Sequence, residues 1–270
     1  MHDIRIAAAV FNSIVNQPQD NLDRMVPLIH SAKKQGAKLI CFPELNVTGY
    51  STREAPGLAA ETIPGPISRR LQQVANEYQI VILAGMAEKG RDGRIYASHL
   101  VATPQGLSGI YRKVHIAPPE REIFTAGSSA PVFQREEVSF SVQLCYDAHF
   151  PELATRMALD GAEIIFMPHA SPRGTPTQKL NSWLRHLTAR AFDNSVYIVA
   201  CNQNGDNQKG LQFPGVAVVI DPSGLIINKD VTGRDGIIVT DLKSGALLDV
   251  RGHRMRYFLP NRRPDVYSAE

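Results

Sequence analysis

The chain has 270 residues, enough to bury a large core in one domain or two, and its 43% hydrophobic and 20% charged residues are ordinary for a globular protein. A net charge of +3 is too small to indicate nucleic-acid binding, and three cysteines do not make a disulfide framework. The first eleven residues hold too short an apolar run for a signal peptide and no later run approaches a membrane span, so we expect a cytoplasmic protein that binds neither nucleic acid nor membrane.

The first third of the chain alternates short apolar runs with helical periodicity. Asp20 could cap a helix whose apolar positions follow the 3.6-residue period, although Pro27 inside that window weakens its continuity. Pro66 suits the first turn of a second helix. Strands are predicted over 4–11, 38–42 and 80–86.

The rest of the chain predicts two hairpins within the same alternation. The stretch 90–114 has two apolar runs separated by Thr-Pro-Gln-Gly, and 215–230 predicts a hairpin that turns at Asp221–Gly224. No linker or composition break divides the chain, so we predict one α/β domain over 1–270, with sheets covered by helices. The remaining predicted elements are strands over 138–144, 163–168, 196–202 and 236–242 and helices from Pro151 and across 179–193.

All three cysteines lie near the ends of apolar runs. Free cysteine is most often a small buried hydrophobe, and we assign that role to Cys41 and Cys201. Cys145 differs because "SVQLCYDAHFPE" (141–152) predicts a strand, a sharp corner and a helix start. Such a corner exposes a sulfur near backbone N–H groups and a positive helix end, which favour thiolate. These residues alone leave both roles open for Cys145, packing residue or nucleophile.

Two charged residues follow predicted strands in the same way. Glu44 in "CFPELNVTGY" could act as a base for a thiol, although glutamate after a strand is usually an exposed loop residue. Lys113 in "YRKVH" closes another strand, where an ordinary edge lysine is the alternative. The eight histidines form no metal-binding pattern, and no glycine-rich cofactor loop is present, so we expect neither metal nor cofactor.

Three segments in order resemble the nitrilase superfamily of carbon–nitrogen hydrolases. They are "CFPELNVTGY", "YRKVH" followed by "EREIFTAG", and "CYDAHFPE" followed by "GAEIIFMP", and the likeness continues to "RYFLPNRRPDVY" near the C-terminus. By motif position the resemblance implies that Glu44, Lys113 and Cys145 are catalytic. It also implies a second glutamate that matches Glu120, with Glu122 as a near neighbour.

The resemblance also implies a fold and an assembly. The fold is a four-layer α-β-β-α sandwich of the α/β class. Its subunits commonly pair through sheet-covering helices, so we expect a homodimer or a higher homo-oligomer. The tail over 243–270 is expected to pack at a subunit interface.

The activity that the resemblance implies is cysteine-dependent hydrolysis of non-peptide C–N bonds through a thioester. Nitrile-cleaving members tend to carry Trp-Glu after the nucleophile, whereas this chain has Tyr146-Asp147, which is similar to the amidase and carbamoylase branches. "MALDGAEIIFMP" (157–168) resembles N-carbamoyl-amine hydrolases in particular. The expected partner is therefore a small linear amide or an N-carbamoyl compound.

Other residues are candidates for holding the substrate. The backbone N–H of Tyr146 and the Lys113 ammonium would bind the oxyanion. The loop 168–176 follows a predicted strand, and its Arg173 could pair with a substrate carboxylate or face solvent. His169 is a candidate for the pocket wall, and Trp183 is expected in the core.

Three alternative functions remain open. A nitrilase would use the same side chains on a different electrophile. A non-catalytic family member would use the pocket or the dimer surface for binding. A glutaminase that delivers ammonia to a synthetase is disfavoured because no nucleotide-binding domain is attached.

Overall fold

The computed structural model describes residues 1–52, 59–135 and 137–267, so the predicted domain and the end of its tail lie partly outside the described residues. Two six-stranded sheets pack face to face, and the described part of the chain also contains a separate two-stranded ribbon. None of the described helices has the length and apolar composition that crossing a membrane requires.

The first sheet comes mainly from the N-terminal half and has the strand order β14-β1-β2-β3-β4-β5. The hairpin predicted over 90–114 is present as the antiparallel pair β4 and β5. The elements in chain order are β1 (Ile4–Val10), α1 (Pro18–Lys34), β2 (Leu39–Cys41), α2 (Pro66–Tyr78), β3 (Val81–Lys89), β4 (Ile95–Thr103) and β5 (Gly106–Arg112), with β14 (Gly236–Leu242) from the far end of the chain.

The second sheet has the order β13-β12-β9-β8-β7-β6. Its β12 and β13 form the hairpin predicted over 215–230. The remaining elements are β6 (Phe133–Gln134), β7 (Ser139–Val142), α3 (Pro151–Leu159), β8 (Ile164–His169), α4 (Pro176–Asn194), β9 (Tyr197–Asn202), β10 (Asn204–Asp206), β11 (Gln212–Pro214), β12 (Ala217–Ile220), β13 (Ile226–Asp230), α5 (Ser244–Arg251) and α6 (Pro264–Tyr267).

The strands are apolar on both faces because each sheet is covered on both sides. Along β1, Ile6 and Ala8 belong to the core between the sheets, whereas Ala7 and Ala9 pack with the helices α1 and α2. Helices α3 and α4 cover the second sheet. This arrangement confirms the predicted α-β-β-α sandwich.

The start of α1 differs from the sequence-based prediction. Asp20 does not cap α1, because the helix begins at Pro18 with Gln17 in the cap position, and Asp20 lies in the first turn. Proline at the first helical position lacks an N–H that would be unpaired there anyway, so it starts the helix three residues earlier than a cap at Asp20 would. Pro27 lies inside α1 without ending it.

The carboxyl ends of the parallel strands of both sheets meet at one edge of the molecule. Strands β2, β3 and β5 run in one direction, and β7, β8 and β9 are parallel to each other. A parallel bridge between Phe11, just after β1, and Gln203, just after β9, brings the two ends together. Residues that follow these strands are therefore gathered at one place, as in other α/β proteins.

Candidate active site

Lys113 lies between two carboxylates at this edge. Its Nζ donates to Glu44 Oε1 at 2.7 Å and to the two Glu120 oxygens at 2.8 and 3.1 Å. All three side chains are buried, with relative exposures of 0% for Glu44, 1% for Lys113 and 3% for Glu120. A buried ammonium between two carboxylates offsets a repulsion that would otherwise protonate one of them.

Glu44 is fixed by the loop that follows β2. Its Oε2 accepts a hydrogen bond from the Ala170 backbone N–H at 3.0 Å, and its carbonyl accepts one from Gln203 Nε2 at 2.8 Å. The loop can lie against β3 because residue 85 is glycine: a Cβ there would be 2.4 Å from the Leu45 backbone nitrogen. Both oxygens of Glu44 are thus held by residues that directly follow other strands, Lys113 after β5 and Ala170 after β8.

Glu120, and not Glu122, is the second carboxylate of this cluster. It ends a 3₁₀ turn over Pro118–Glu120 and also accepts a hydrogen bond from Tyr50 Oη at 2.9 Å. The Glu122 side chain is exposed to solvent. Tyr50 closes the segment "CFPELNVTGY", but no periodicity in the sequence indicated that its hydroxyl would reach a residue seventy positions away.

Cys145 occupies the sharp corner that the sequence predicted. Its φ of +37° is in the left-handed region, where a non-glycine residue is strained and must be held by its surroundings. The corner continues as a 3₁₀ turn over Cys145–His149, and α3 begins only at Pro151. The residue is partly exposed, whereas Cys41 and Cys201 are fully buried as predicted.

Asp147 holds this corner in place. Its backbone and side chain form reciprocal hydrogen bonds with Leu144, at 2.8 and 3.0 Å. The same carboxylate accepts hydrogen bonds from Tyr111 Oη at 2.7 Å and from the His115 backbone N–H at 2.8 Å. The Asp147 side chain is therefore occupied by structural contacts, a role that sequence reasoning missed.

The electrostatics of the cluster favour a neutral thiol beside a base. Burial raises the pKa of the Cys145 thiol above its ordinary range, and the charge of Glu44 adds to this rise while Lys113 opposes it. Burial also raises the pKa of Glu44, to about 7, against the lowering effect of Lys113. For Lys113, burial lowers the pKa, but the charges of Glu44 and Glu120 outweigh it and the pKa is raised. Glu44 can therefore exchange a proton near neutral pH.

The three candidate substrate-binding residues have different surroundings. Among the described residues, no acceptor is bonded to the Tyr146 backbone N–H, which leaves it available at the corner. His169 is 2% exposed, and the centroid of its ring lies 4.1 Å from the ring centroid of Trp183. Trp183 is in the core as predicted. Burial holds the pKa of His169 well below its ordinary value, so the ring is neutral. Arg173 is exposed and has a left-handed φ of 72°.

A separate cavity lies beside Arg112, and none of the described residues that line it is a cysteine that could act as a nucleophile. It has a volume of about 550 Å³ and is lined by residues 62–64 and 88–92. Arg112 is already paired with Glu88 at 2.5 and 2.8 Å and lies 4.1 Å from the Tyr96 ring. Within the described ranges, no group of three or more His, Cys, Asp or Glu side chains could hold a metal ion.

Comparisons with known proteins point to one protein family. A family model described as carbon-nitrogen hydrolase matches residues 5–251. The chain is 31% identical to a nitrilase from Pyrococcus abyssi, over 98% of this chain and 99% of that protein. It is 30% identical to an omega-amidase from Mus musculus, over 93% and 92% of the two chains. An amidase structure from Nesterenkonia sp. superposes with a TM-score of 0.81 at 25% identity, over 98% of this chain and 95% of that one.

Proposed function

The chain belongs to the carbon–nitrogen hydrolase family within the nitrilase superfamily, and we propose that it hydrolyses the C–N bond of a small linear amide through a thioester on Cys145. The observation that carries this proposal is the buried Lys113 ammonium, 2.7 Å from Glu44 and 2.8 Å from Glu120, beside the strained corner that holds Cys145. An acid–base group, a cation and a thiol in one place are what acyl transfer to sulfur requires.

In the first half of the reaction, Glu44 accepts the proton of the Cys145 thiol as the sulfur attacks the amide carbon. The Lys113 ammonium and the Tyr146 backbone N–H stabilise the negative charge that develops on the oxygen. Glu44 then gives the proton to the departing nitrogen, the C–N bond breaks, and ammonia or an amine leaves. The acyl group remains on Cys145 as a thioester.

In the second half, a water molecule replaces the leaving group. Glu44 takes one proton from this water, and the resulting hydroxide attacks the thioester carbon. The C–S bond breaks, the sulfur recovers a proton from Glu44, and the carboxylic acid is released. Glu120 lies on the side of Lys113 opposite to Glu44, with its Oε2 2.8 Å from Lys113 Nζ. From there it orients the water or the amide nitrogen.

An amide is preferred over a nitrile because the residues that follow Cys145 are Tyr146-Asp147 and not Trp-Glu. Similarity to an amidase and an omega-amidase supports this choice, while similarity to a nitrilase keeps nitriles as the second candidate. N-carbamoyl compounds remain candidates through the likeness of residues 157–168. Tyr146, His169 and Arg173 would contact the substrate, and the mechanism uses no metal or cofactor.

We also propose that the protein acts as a homo-oligomer, with the tail beyond residue 243 at an interface. Support comes from apolar side chains that are exposed near the end of α4 and in the tail. Phe192 and Phe258 are 43% and 39% exposed, and their ring centroids are 5.4 Å apart. Sedimentation equilibrium should give the molecular mass of a dimer or a larger assembly. The substitution Phe192→Asp should lower the molecular mass of this assembly.

The experiment that tests the function is a screen of small amides, ureido acids, carbamoyl amines and nitriles for ammonia release. The control is Cys145→Ala, because it removes only the sulfur. We expect amides to be hydrolysed with one water consumed per acid formed, and Cys145→Ala to be inactive while keeping its circular dichroism spectrum. Retention of activity by Cys145→Ala would reject the mechanism, and binding of these compounds without turnover would favour a non-catalytic family member.

A further inference from the structure

Tyr50 is a buried tyrosine at the end of the segment "CFPELNVTGY", six residues after Glu44. Its relative exposure is 7%, and its Oη donates a hydrogen bond of 2.9 Å to Glu120 Oε1. None of the steps proposed above uses this hydroxyl. Burial raises the pKa of the Tyr50 phenol, and the charges of Glu120 and Glu44 raise it further. The hydroxyl therefore keeps its proton at neutral pH and remains a hydrogen-bond donor to the carboxylate.

The loop that follows β2 and the ribbon of β10 and β11 hold Tyr50 in this place. Gly49 has a left-handed φ of 79°, and its N–H donates to the Leu45 carbonyl at 2.7 Å, which closes the loop just before the tyrosine. Asn207, which follows β10, donates from Nδ2 to the Tyr50 carbonyl at 2.8 Å. Phe213, in β11, meets the Tyr50 ring edge to face, with 6.2 Å between the ring centroids. The ribbon thus fixes both the backbone and the ring of Tyr50.

The hydrogen-bond donors of Lys113 are all engaged by the two carboxylates. An ammonium has three N–H donors, and its distances from the carboxylate oxygens are 2.7 Å to Glu44 Oε1, 2.8 Å to Glu120 Oε2 and 3.1 Å to Glu120 Oε1. If all three donors stayed on these oxygens, none would be left for the oxygen of an amide substrate. The longest contact goes to Glu120 Oε1, which is the oxygen that Tyr50 reaches at 2.9 Å. The hydroxyl can therefore satisfy this oxygen in place of the ammonium.

Glu120 depends on these donors because it is a buried carboxylate, with a relative exposure of 3%. Its only other donor within the described residues is the Ala117 backbone N–H, which is 3.3 Å from Oε2. Without the Tyr50 hydroxyl, Oε1 would have Lys113 as its one donor in that part of the chain. The ammonium would then be drawn onto Glu120 and away from the substrate.

We propose that Tyr50 is a positioning residue whose hydroxyl satisfies Glu120 Oε1 and so releases one N–H of Lys113 to the oxygen of the substrate. This role rests on the proposed hydrolysis at Cys145, in which Lys113 stabilises the negative charge that develops on that oxygen. The charge is largest in the transition state, so Tyr50 acts mainly on kcat and little on KM.

The test uses Tyr50→Phe, which removes the hydroxyl and keeps the ring. Tyr96→Phe is the matched control, because Tyr96 is also 7% exposed and donates to a carboxylate, Asp92 Oδ2, at 2.8 Å. Both substitutions are also combined with Glu120→Ala, which removes the oxygen that Tyr50 serves. Ammonia release from propionamide, or from the amide that the screen finds to be hydrolysed fastest, gives kcat and KM. Circular dichroism of each variant checks that the fold is kept.

We expect Tyr50→Phe to lower kcat by roughly tenfold to a hundredfold, somewhat less than the loss of a whole oxyanion donor, because Lys113 is redirected and not removed. KM should change by less than about twofold, as for an interaction made only in the transition state. Tyr96→Phe should leave both constants near wild type. With Glu120→Ala the ammonium has no Glu120 oxygen to satisfy, so added Tyr50→Phe should lower kcat by no more than about twofold.

Contrary outcomes separate this role from the proposed function. A raised KM with unchanged kcat in Tyr50→Phe would overturn the role, since the hydroxyl would then contact the substrate itself. An equal loss of kcat with and without Glu120→Ala would also overturn it, because Tyr50 would then not act through Glu120. Hydrolysis that needs Cys145 but is insensitive to Tyr50→Phe would reject this role alone. If the wild-type protein hydrolyses no amide, the reaction proposed at Cys145 is itself wrong, and the role of Tyr50 is rejected with it.

Discussion

Tyr111 and Asp147 are joined across the two sheets by a hydrogen bond of 2.7 Å from the phenol to the carboxylate. Tyr111 precedes Lys113 by two residues, and Asp147 follows Cys145 by two. Both side chains have a relative exposure of 0%. The bond therefore fixes the distance between the corner that holds the sulfur and the strand end that holds the ammonium.

Tyr111→Phe removes this bond without changing the shape of the side chain. A hydrogen bond to a charged group typically contributes about 1.5–3 kcal/mol, so the free energy of unfolding should fall by about that amount. Hydrolysis should also slow, because Cys145 and Lys113 lose a shared support. Urea unfolding and initial rates of ammonia release measure the two effects.

The matched control is the ion pair between Arg5 and Asp241. It also joins distant residues, at 2.7 and 2.9 Å, but its side chains are 46% and 44% exposed. Exposed pairs contribute about 0–1 kcal/mol, so Asp241→Asn should have little effect on the free energy of unfolding and none on hydrolysis. Equal destabilisation by the two substitutions would contradict the structural role given to Tyr111.

The activity should depend on pH through Glu44. Burial raises the pKa of this carboxyl to about 7, and only its ionised form can accept the thiol proton. Below pH 7 the fraction of ionised Glu44 falls, so kcat/KM should fall about tenfold per pH unit and should level off above pH 7. A pH–rate profile with a neutral amide measures this, since such a substrate does not itself titrate.

This prediction depends on the pH at which kcat/KM begins to fall on the acid side of the pH–rate profile, which is called its acid limb. An ordinary exposed glutamate would place the limb near its usual value of about 4.3. A limb near that value would show that Glu44 is not the titrating base. Activity that instead rises steadily above pH 8 would indicate that the Cys145 thiolate, and not the carboxylate, controls the rate.

Glu120 and Glu122 offer a direct comparison within one short segment. Glu120 is 3% exposed and 2.8 Å from Lys113, whereas Glu122 faces solvent. We expect Glu120→Gln to lower kcat by roughly a hundredfold, the usual effect of losing a group that orients reactants, and Glu122→Gln to have no effect. Steady-state kinetics of both variants with the same amide would test this. A larger loss in Glu122→Gln would contradict the assignment.

Much of the fold followed from the sequence because its elements are apolar in simple patterns. The helix from Pro66 and the turn at Asp221–Gly224 have local causes, a proline that suits the first turn and a sharp turn between apolar runs. Helix α5 and the ribbon of β10 and β11 were not predicted, since Ser244–Arg251 and Asn204–Asp206 lack a strong apolar period. Asp20 was misplaced because two adjacent helix-start signals compete, and Pro18 determines the start.

The candidate site was predictable where residues directly follow strands. Glu44 and Cys145 follow β2 and β7 by three residues each, and parallel strands bring such positions to one edge. Tyr50 was not predicted, because its contact depends on a loop whose path no periodicity encodes. The sequence therefore predicts the reacting groups better than the groups that hold them in place.

Iodoacetamide should modify Cys145 alone among the three cysteines of the native protein. Cys41 and Cys201 have 0% exposure and lie against each other between the sheets, with Cys201 Sγ 3.6 Å from the Cys41 carbonyl. Cys145 is partly exposed, but burial raises its thiol pKa, so its alkylation should be slow at neutral pH and faster as the pH rises. Mass spectrometry should therefore find one carbamidomethyl group per native chain and three after unfolding in urea. Labelling of Cys41 or Cys201 before unfolding would show that the space between the sheets opens, and an unlabelled Cys145 would show that its sulfur is closed to reagents and to a substrate alike.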